Sequence, residues 1–345
     1  MDSPTKPARL EDIAQRVGIS RSEVSRVLNG RVRVGRSVGK AKQEEILRVA
    51  RELNYQPHQA ARNLAQGRTD TVALPVEIEL DRPLAPHYQE IIPALTLALH
   101  EHGLRLLLTQ MQGDPLPVLE KLVSSRVCDG IVLTDIRVDD ARPAFLRELG
   151  VPFVIRGSTP TPGFPAVGMN NVAVGYQGVW TLARRGHTRV LCQHVDNRYL
   201  AGQRRYQGAC QAAEEAGIAA TVRHDDSLSG EAGGYALALA ALAGPNPPTA
   251  LFAADELAAF GMLRAIADLG LLVPEDVSLL TCLNARILSR VHPTLSFVNV
   301  RQEEVAREAG KLLARRLHGE AIPMEQSFLE PILVDNGSLA SPREA

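Results

Sequence analysis

The side chains best suited to chemistry near the start of the chain lie in the segment GISRSEVSRVLNG, residues 18–30. Arg21 and Arg26 each carry a guanidinium group that can donate two hydrogen bonds to a guanine base. Ser22 is expected to project with them, and the side chains suited to phosphate oxygens are Ser20, Ser25 and Asn29. This spacing predicts a surface of hydrogen-bond donors that fits base edges and phosphates.

Two short amphipathic helices position these side chains. Their apolar residues recur at helical spacing and are Ile13, Ala14 and Val17 in the first and Val24, Val27 and Leu28 in the second. Gly18 is expected to end the first helix in a left-handed conformation, and Ser20 with Glu23 to form a capping box for the second. The pattern predicts a helix-turn-helix whose second helix enters the major groove, although a plain helical hairpin with a solvated charged face also fits this segment alone.

A third amphipathic helix is predicted through EEILRVARELNY, where it closes a small core. Its apolar face is expected to contain Ile46, Leu47, Ala50 and Leu53. The segment QPHQAARNLAQGRTDT follows, with Ala60, Ala61 and Leu64 on one side of a helix too short to be stable alone. This segment is therefore expected to fold only against another surface.

The charge of the chain is unevenly distributed. Residues 1–68 carry 14 Lys and Arg against 7 Asp and Glu, whereas the remaining residues carry 24 against 32. The formal net charge of −1 therefore hides a basic N-terminal part. A basic part of this kind is typical of proteins that bind a polyanion such as nucleic acid.

The motifs LEDIAQRVGIS, VSRVLNG, ARELNYQP and AARNL, in this order, resemble the LacI/GalR family of bacterial transcription regulators. The resemblance implies a homodimer on pseudopalindromic double-stranded operator DNA. It also implies that Ala61 and Leu64 belong to a hinge helix, with Leu64 inserted into a minor-groove step. Glu23 stands where the family often has Thr, and it is expected to cap the helix rather than touch DNA.

The loop between the second and third helices is longer than is common in the family. It adds basic side chains that are expected to contact phosphates, namely Arg31, Arg33, Arg36 and Lys40. Neutralising each such contact should lower the salt slope of DNA binding by roughly 0.9.

From Thr71 onward the chain alternates between apolar runs of strand length and segments of helical period. The strand-like runs are TVALPVEI, LRLLLTQ, GIVLT, PFVIRG, RVLCQHV, TALFAA and VSLLTCL. The alternation predicts parallel sheets covered on both faces, split into two lobes with a ligand cleft between them. The landmarks RRGHTRV, FAADELAAFGMLRAI, VPEDVSLL and HPTLSFVNV extend the resemblance over this part of the chain.

The expected fold class is α/β, with an N-terminal all-α helix-turn-helix head and a two-lobed periplasmic-binding-protein-like effector domain. The head is placed at residues 1–56, and the hinge helix with its linker at 57–69. The effector-binding and dimerisation domain is placed at 70–345. Its first lobe is expected at about 70–185 and 298–322, and its second at about 186–297 and 323–345.

The resemblance also implies which residues face the ligand in the cleft. They are His87, Tyr88, Asn170, Arg205, Asp255 and Leu283. Arg156 is expected as a further cleft residue that this chain adds. Arg205 keeps the family's ligand-binding Arg, with a surface salt-bridge role as the alternative, and Tyr88 could equally be a core residue. Asn170 and Leu283 stand where sugar-binding or purine-binding members usually have Asp. A sugar or sugar derivative is the preferred effector, and an anionic or less polar metabolite is the open alternative.

Enzyme functions find little support in the sequence. No GxGxxG follows a strand, GxxxxGKS, GxSxG and HExxH are absent, and no metal or cofactor is expected. His100 and His102 do not share a helix face, and His187 is expected to be structural. The four cysteines lack ligand spacing and are expected to be reduced thiols.

No apolar run reaches the roughly 18 residues of a membrane span, and MDSPTKPARLEDI has no hydrophobic secretion segment. A cytoplasmic location is therefore expected, without a membrane partner. Since no Leu heptad follows Leu333, a dimer is expected rather than a tetramer. The sequence favours a DNA-binding repressor whose operator affinity is controlled by a small metabolite. The alternative is a small-molecule receptor or an enzyme with a helical appendage and no DNA role.

Overall fold

The computed structural model describes residues 8–28, 39–55, 67–77, 85–193, 198–223, 230–254, 256–282 and 292–343. These residues form two compact units that divide between Thr69 and Asp70. The first unit is entirely helical in its described part, and the second contains both sheets.

The N-terminal unit contains helices α1 (Leu10–Val17), α2 (Arg21–Leu28) and α3 (Lys40–Glu52). They enclose a small core whose buried members are Ile13, Ala14, Val17, Val24, Ile46, Val49 and Ala50. Gly18 ends α1 with a left-handed φ of 71°, as the sequence predicts. Leu47 is 45% exposed, so its predicted place in the core was wrong. It lies about 100° around the helix from Ile46, and Val49 lies on the buried face in its place.

The first sheet of the second unit is parallel throughout. Its strands are β1 (Thr71–Glu77), β2 (Arg105–Met111), β3 (Gly130–Leu133), β4 (Phe153–Arg156), β5 (Ala166–Met169) and β11 (Gln326–Leu329), in the order β11-β5-β4-β3-β1-β2. Helices α4 (Tyr88–His100) and α11 (Gln302–Leu317) contribute to the core on one face, and α5 (Pro115–Ser124) and α6 (Arg142–Glu148) to a separate core cluster.

The second sheet repeats this plan. Its strands are β6 (Arg189–Gln193), β7 (Ala219–Arg223), β8 (Ala250–Ala253), β9 (Ser278–Cys282), β10 (Ser296–Asn299) and β12 (Ile332–Val334), in the order β12-β10-β9-β8-β6-β7. Only the pairing of β12 with β10 is antiparallel within this described sheet. Helices α7 (Asn171–Ala183) and α8 (Leu200–Ala216) pack in one core cluster with this sheet, and α9 (Gly230–Leu242) and α10 (Glu256–Asp268) in another. The predicted pattern of parallel sheets between helices is confirmed.

Helices α7 and α8 cross so closely that glycines are required on both. A Cβ on Gly175 would lie 1.8 Å from the carbonyl oxygen of Arg205, and one on Gly208 would lie 1.9 Å from that of Val172. Both distances are far below van der Waals contact, so the two helix backbones touch directly. The position of Arg205 is therefore set by backbone packing rather than by flexible side chains.

The structure places two lobe boundaries differently from the expectation. Helix α7 packs with the second sheet, so the first crossover falls at Asn170 rather than near residue 185. Strand β11 belongs to the first sheet, although residues 323–345 were expected in the second lobe. Local periodicity does not reveal which sheet an element joins, and this is the reason for both differences.

The crossovers between the lobes are hydrogen-bonded to one another. The backbone N–H of Asn170 donates to Leu329 at 3.0 Å, and its side-chain amide donates to Glu330 at 3.0 Å. Arg301 reaches the Glu330 carbonyl at 3.4 Å. Since the chain changes lobe at each of these places, the crossovers form one compact connection between the lobes.

Candidate functional site: a helix-turn-helix face and a cleft between two sheets

The turn between α1 and α2 is fixed by a reciprocal cap. The Ser20 N–H donates to the Glu23 carboxylate at 3.0 Å, and the Glu23 N–H donates to the Ser20 hydroxyl at 3.3 Å. Hydrogen bonds from Ser20 hold the pKa of Glu23 below its ordinary value of 4.5. The expected capping box is therefore present, and it occupies the Ser20 hydroxyl, which also donates to Glu23 at 2.6 Å.

The outer face of α2 presents two arginines. Arg21 and Arg26 are exposed together with Ser22, and Ser25 is partly buried. Arg21 forms an ion pair with Glu11 at 2.8 Å, and Arg26 donates to the Ser22 carbonyl at 3.3 Å. Both guanidinium groups remain at the surface, where an exposed ion pair holds only weakly against a phosphate or a base.

The cleft lies where strands of both sheets end. Each sheet reverses its strand order between neighbouring strands, at β1 and β3 in the first and at β6 and β8 in the second. Ligands in open α/β sheets bind beyond the carboxyl ends of strands at such points. A cavity of about 410 Å³ lies there, lined by residues of both lobes.

Arg205 of α8 is buried in this cleft and held by neutral groups. Its Nε donates to the Asn171 side chain at 2.9 Å, and its Nη1 donates to the Ala254 carbonyl at 3.1 Å. The Cys282 thiol lies 3.5 Å from the same nitrogen. The alternative of a surface salt bridge is wrong, because Arg205 is only 8% exposed.

Arg156 ends β4 and lines the same cavity. It is 7% exposed, and its buried Nε has no hydrogen-bond partner. Burial lowers the pKa of Arg156; Asp135 opposes this shift, and the positive charge of Arg205 adds to it.

Tyr88 and Asp135 form the acceptor side of the cleft. The Tyr88 hydroxyl donates to the Asp135 carboxylate and contacts the Thr134 hydroxyl at 2.8 Å. Burial, together with the charge of Asp135, raises the pKa of Tyr88 well above its ordinary value. His87 lies 3.7 Å from Asp135, and burial lowers its pKa, although the carboxylate opposes this. Tyr88 is thus both a core residue and a cleft residue.

A buried ion pair braces the loop that presents Asp135. Arg142 pairs with Asp140 at 2.6 Å and also donates to the carbonyls of Thr134 and Asp135 at 3.0 and 2.9 Å. Although burial alone would raise the pKa of Asp140, hydrogen bonds from Arg142 hold it below its ordinary value. Asp135 itself has a left-handed φ of 50°. The brace therefore fixes a strained backbone at the cleft.

Asn170 was expected to face the ligand, but the structure assigns that position to its neighbour. The Asn170 side chain caps α7 by accepting from the Ala173 N–H at 3.1 Å, and it is not among the residues that line the cavity. Asn171 lines the cavity and orients Arg205. At the start of a helix, consecutive side chains point in different directions. The Asn170 amide therefore caps α7, whereas the Asn171 amide faces the cavity.

A short backbone bridge closes one side of the cleft. The Val138 N–H donates to the Arg198 carbonyl at 3.0 Å, and the Leu200 N–H donates to the Ile136 carbonyl at 3.0 Å. Residues 136–138 follow β3 of the first lobe, and residues 198–200 lead into α8 of the second. We call this pair of hydrogen bonds the latch.

Several predicted site residues lie outside the described part of the chain. They are Asn29, Arg31, Arg33, Ala61 and Leu64 of the DNA-binding part and Asp255 and Leu283 of the cleft. Their roles stay predictions. Sequence reasoning missed Asp135 and Asn171; the polar residues directly after the apolar run GIVLT were the available signal for Asp135.

The described residues contain no cluster of His, Cys, Asp or Glu arranged to hold a metal ion. His187 is buried and contacts Thr249 at 2.9 Å and the Ala340 carbonyl at 2.8 Å, as a structural residue would. Within the described ranges, no helix is both long and apolar enough to cross a membrane.

A helical head with a capped helix-turn-helix and a body of two sheets around a cleft define a class of two-domain, ligand-responsive DNA-binding regulators. The pattern of bacterial regulatory proteins of the lacI family matches residues 9–58, and that of the periplasmic binding protein-like domain matches residues 179–339. The HTH-type transcriptional regulator CelR of Thermobifida fusca is 32% identical over 335 residues, covering 94% of this chain and 96% of CelR. The chain therefore belongs to the LacI family of bacterial transcriptional regulators.

Other relatives agree with this assignment. The ribose operon repressor of Escherichia coli K12 is 26% identical, covering 96% of this chain and 99% of the repressor. The structure of a CelR–cellobiose complex is 29% identical with a TM-score of 0.70, covering 96% of this chain and 99% of that chain. The operator-bound lac repressor dimer is 20% identical with a TM-score of 0.83, covering 97% and 100% of the two chains, which shows the shared fold.

Proposed function

We propose that this regulator reads its operator with α2 and is controlled by a sugar or sugar derivative bound in the cleft. The observation that carries the effector site is the buried guanidinium of Arg205, held by Asn171 beside the carboxyl ends of both sheets. CelR, a relative over nearly the whole chain, is known in complex with cellobiose. Polar groups around an otherwise apolar cavity are typical of a small-molecule site.

On the DNA side, Arg21 and Arg26 would donate to base edges, with Ser22 and Ser25 beside them. A homodimer would place two such helices on a pseudopalindromic operator in the cytoplasm. The preferred mode of regulation is repression that an inducer relieves, and a co-repressor would act through the same cleft and the same DNA-binding helices. A role without catalysis is supported by the relatives, which are transcriptional regulators.

The DNA role is tested by selecting fragments of bacterial genomic DNA on the full-length protein and measuring affinity for the enriched site. Arg21→Ala and Arg26→Ala should each weaken that affinity by about 5- to 150-fold if the arginine donates two bonds to a base. Arg48→Ala removes the same charge from α3, where Arg48 pairs with Glu52 at 2.6 Å, and should change affinity far less. If no fragment is enriched over the unselected genomic DNA, the alternative of a receptor or an enzyme without a DNA role holds instead.

The effector role is tested by titrating sugars, sugar acids, nucleosides and phosphorylated metabolites onto the operator complex. A true effector should change operator affinity and, at 100 times its dissociation constant, stabilise the protein by about 2.7 kcal/mol. Arg205→Gln should abolish both effects while leaving ligand-free operator binding intact. An effector response that survives Arg205→Gln would place the site elsewhere.

A further inference from the structure

The buried arginines of the cleft differ in whether a carboxylate is paired with them. Arg142, Arg156 and Arg205 all line the cavity and all are buried. Arg142 has a carboxylate at 2.6 Å, that of Asp140. Among the described residues, the structure shows no ion pair of Arg156 or Arg205 with any carboxylate.

Arg156 is the more unusual of the two. Its Nε is buried without a partner, and the structure shows no hydrogen bond from its guanidinium to another described residue. An uncompensated charge inside a protein is unfavourable, and proteins retain such groups at functional sites. The end of β4, at the edge of the sheet where ligands bind, is such a place.

The partners of Arg205 leave its positive charge in place. They are an amide oxygen of Asn171, the carbonyl of Ala254 and the thiol of Cys282, all of which are neutral. These contacts orient the guanidinium without neutralising it. Arg205 is thereby a rigid donor prepared for a negative group.

The carboxylate of Asp135 is already engaged within the cleft. It accepts from the Tyr88 hydroxyl and lies 3.7 Å from His87. Burial lowers the pKa of His87, so this imidazole is held in its neutral form near neutral pH. The other described carboxylate that lines the cavity, that of Glu77, pairs with Arg137 at 2.5 Å. Neither of these carboxylates forms an ion pair with Arg156 or Arg205.

We infer that the effector carries an anionic oxygen group, a carboxylate or a phosphate, which binds between Arg156 of the first lobe and Arg205 of the second. Hydroxyl groups of the same molecule would donate to Asp135, and the anion would bridge the two lobes. The inference rests on the cleft being the effector site, as proposed above. Charge-assisted hydrogen bonds to arginine are stronger than neutral ones and select carboxylate or phosphate geometry.

The test uses calorimetric titration of the full-length protein with matched neutral and anionic molecules. The pairs are D-glucose with D-glucuronate, D-glucitol with D-gluconate, cellobiose with cellobionate, and D-glucose with glucose 6-phosphate. In at least one pair the anion should bind about 10- to 100-fold more tightly than its neutral partner. Preference within the first three pairs identifies a carboxylate, and preference within the last identifies a phosphate.

Arg156→Gln should lower the affinity for the anion by about the same 10- to 100-fold and so remove this preference, and Arg156→Lys should restore part of it. Arg264→Gln is the matched control, because Arg264 is 53% exposed on α10 and pairs with Glu231 at 3.0 Å. The melting temperature of each ligand-free variant shows that it is folded. Arg156→Gln should melt no lower than the wild type, since it removes an uncompensated buried charge.

Equal or tighter binding of the neutral partner in every pair would overturn the inference and leave the cleft as a neutral-sugar site. An anion preference that survives Arg156→Gln would also overturn it. The proposed function fails separately, if neutral sugars and anions alike leave both the protein and the operator complex unchanged; that outcome overturns the inference as well.

Discussion

A Gly175→Ala substitution should force α7 and α8 apart at the point where Arg205 is held. The added Cβ would lie 1.8 Å from the Arg205 carbonyl oxygen, and it must move by about 1.2 Å to reach even the 3.0 Å limit of real Cβ contacts. Overpacking of backbone against backbone costs up to about 3 kcal/mol, whereas alanine gains about 1 kcal/mol over glycine in a helix. The free energy of unfolding should therefore fall by about 2 kcal/mol.

The same shift should weaken effector binding. A displacement of more than 1 Å stretches the Arg205 bonds to Asn171 and Ala254, now 2.9 and 3.1 Å, beyond hydrogen-bonding distance. Urea unfolding and effector titration measure the two effects. Gly244→Ala is the control, because its Cβ would meet the nearest atom at an ordinary 3.4 Å.

Gly208→Ala tests whether both effects come from the crossing itself. Its Cβ would lie 1.9 Å from the Val172 carbonyl oxygen, so either substitution demands the same separation of α7 and α8. Once one alanine has separated the helices, the second should cost less, and the double variant should lose less stability than the two single losses combined. Full additivity, or a Gly175→Ala protein as stable as Gly244→Ala, would refute the reasoning.

Three further perturbations test other parts of the structure. Burial lowers the pKa of His187 below its ordinary 6.5, so the stability linked to neutral His187 is complete above pH 6.5 and falls as the pH drops below that value. In urea unfolding from pH 7.5 to 5, the free energy of unfolding should therefore decline less for His187→Gln than for the wild type. Leu200→Pro removes the latch N–H that donates to Ile136, and Pro is tolerated at this position because Leu200 is the first residue of α8. Stopped-flow measurements should therefore show that the effector dissociates about fivefold faster from Leu200→Pro than from Leu200→Ala. Equal dissociation rates would contradict a role for the latch. Glu23→Ala removes the acceptor of the Ser20 N–H, and hydrogen exchange at the start of α2 should become faster, whereas Glu23→Gln, which keeps an acceptor, should change it less.

Much of this structure could be predicted from the sequence, because it depends on residues that are close together in the chain. The stop at Gly18 and the cap between Ser20 and Glu23 follow from contacts three or four residues apart, which a sequence displays directly. Apolar runs separated by helical segments predicted the parallel sheets for the same reason.

Features that depend on tertiary contacts were not recoverable. The choice between Asn170 and Asn171 depends on how α7 begins, and the place of β11 depends on a pairing with β5, more than 150 residues earlier in the chain. The lack of a hydrogen-bond partner at the Arg156 Nε depends on everything that is packed around it. Sequence identified this arginine as a cleft residue, but only the packed structure shows that it forms no ion pair with a described carboxylate.

The latch offers a place at which effector binding could be detected by fluorescence. Val138 and Arg198 come from different lobes but are joined by a 3.0 Å hydrogen bond, so a movement of one lobe against the other would lengthen a short starting distance. The lobes are also joined near Asn170 and Glu330, where the crossovers are hydrogen-bonded to one another. A dye on each side of the latch would therefore convert effector binding into a change of fluorescence, without operator DNA in the assay.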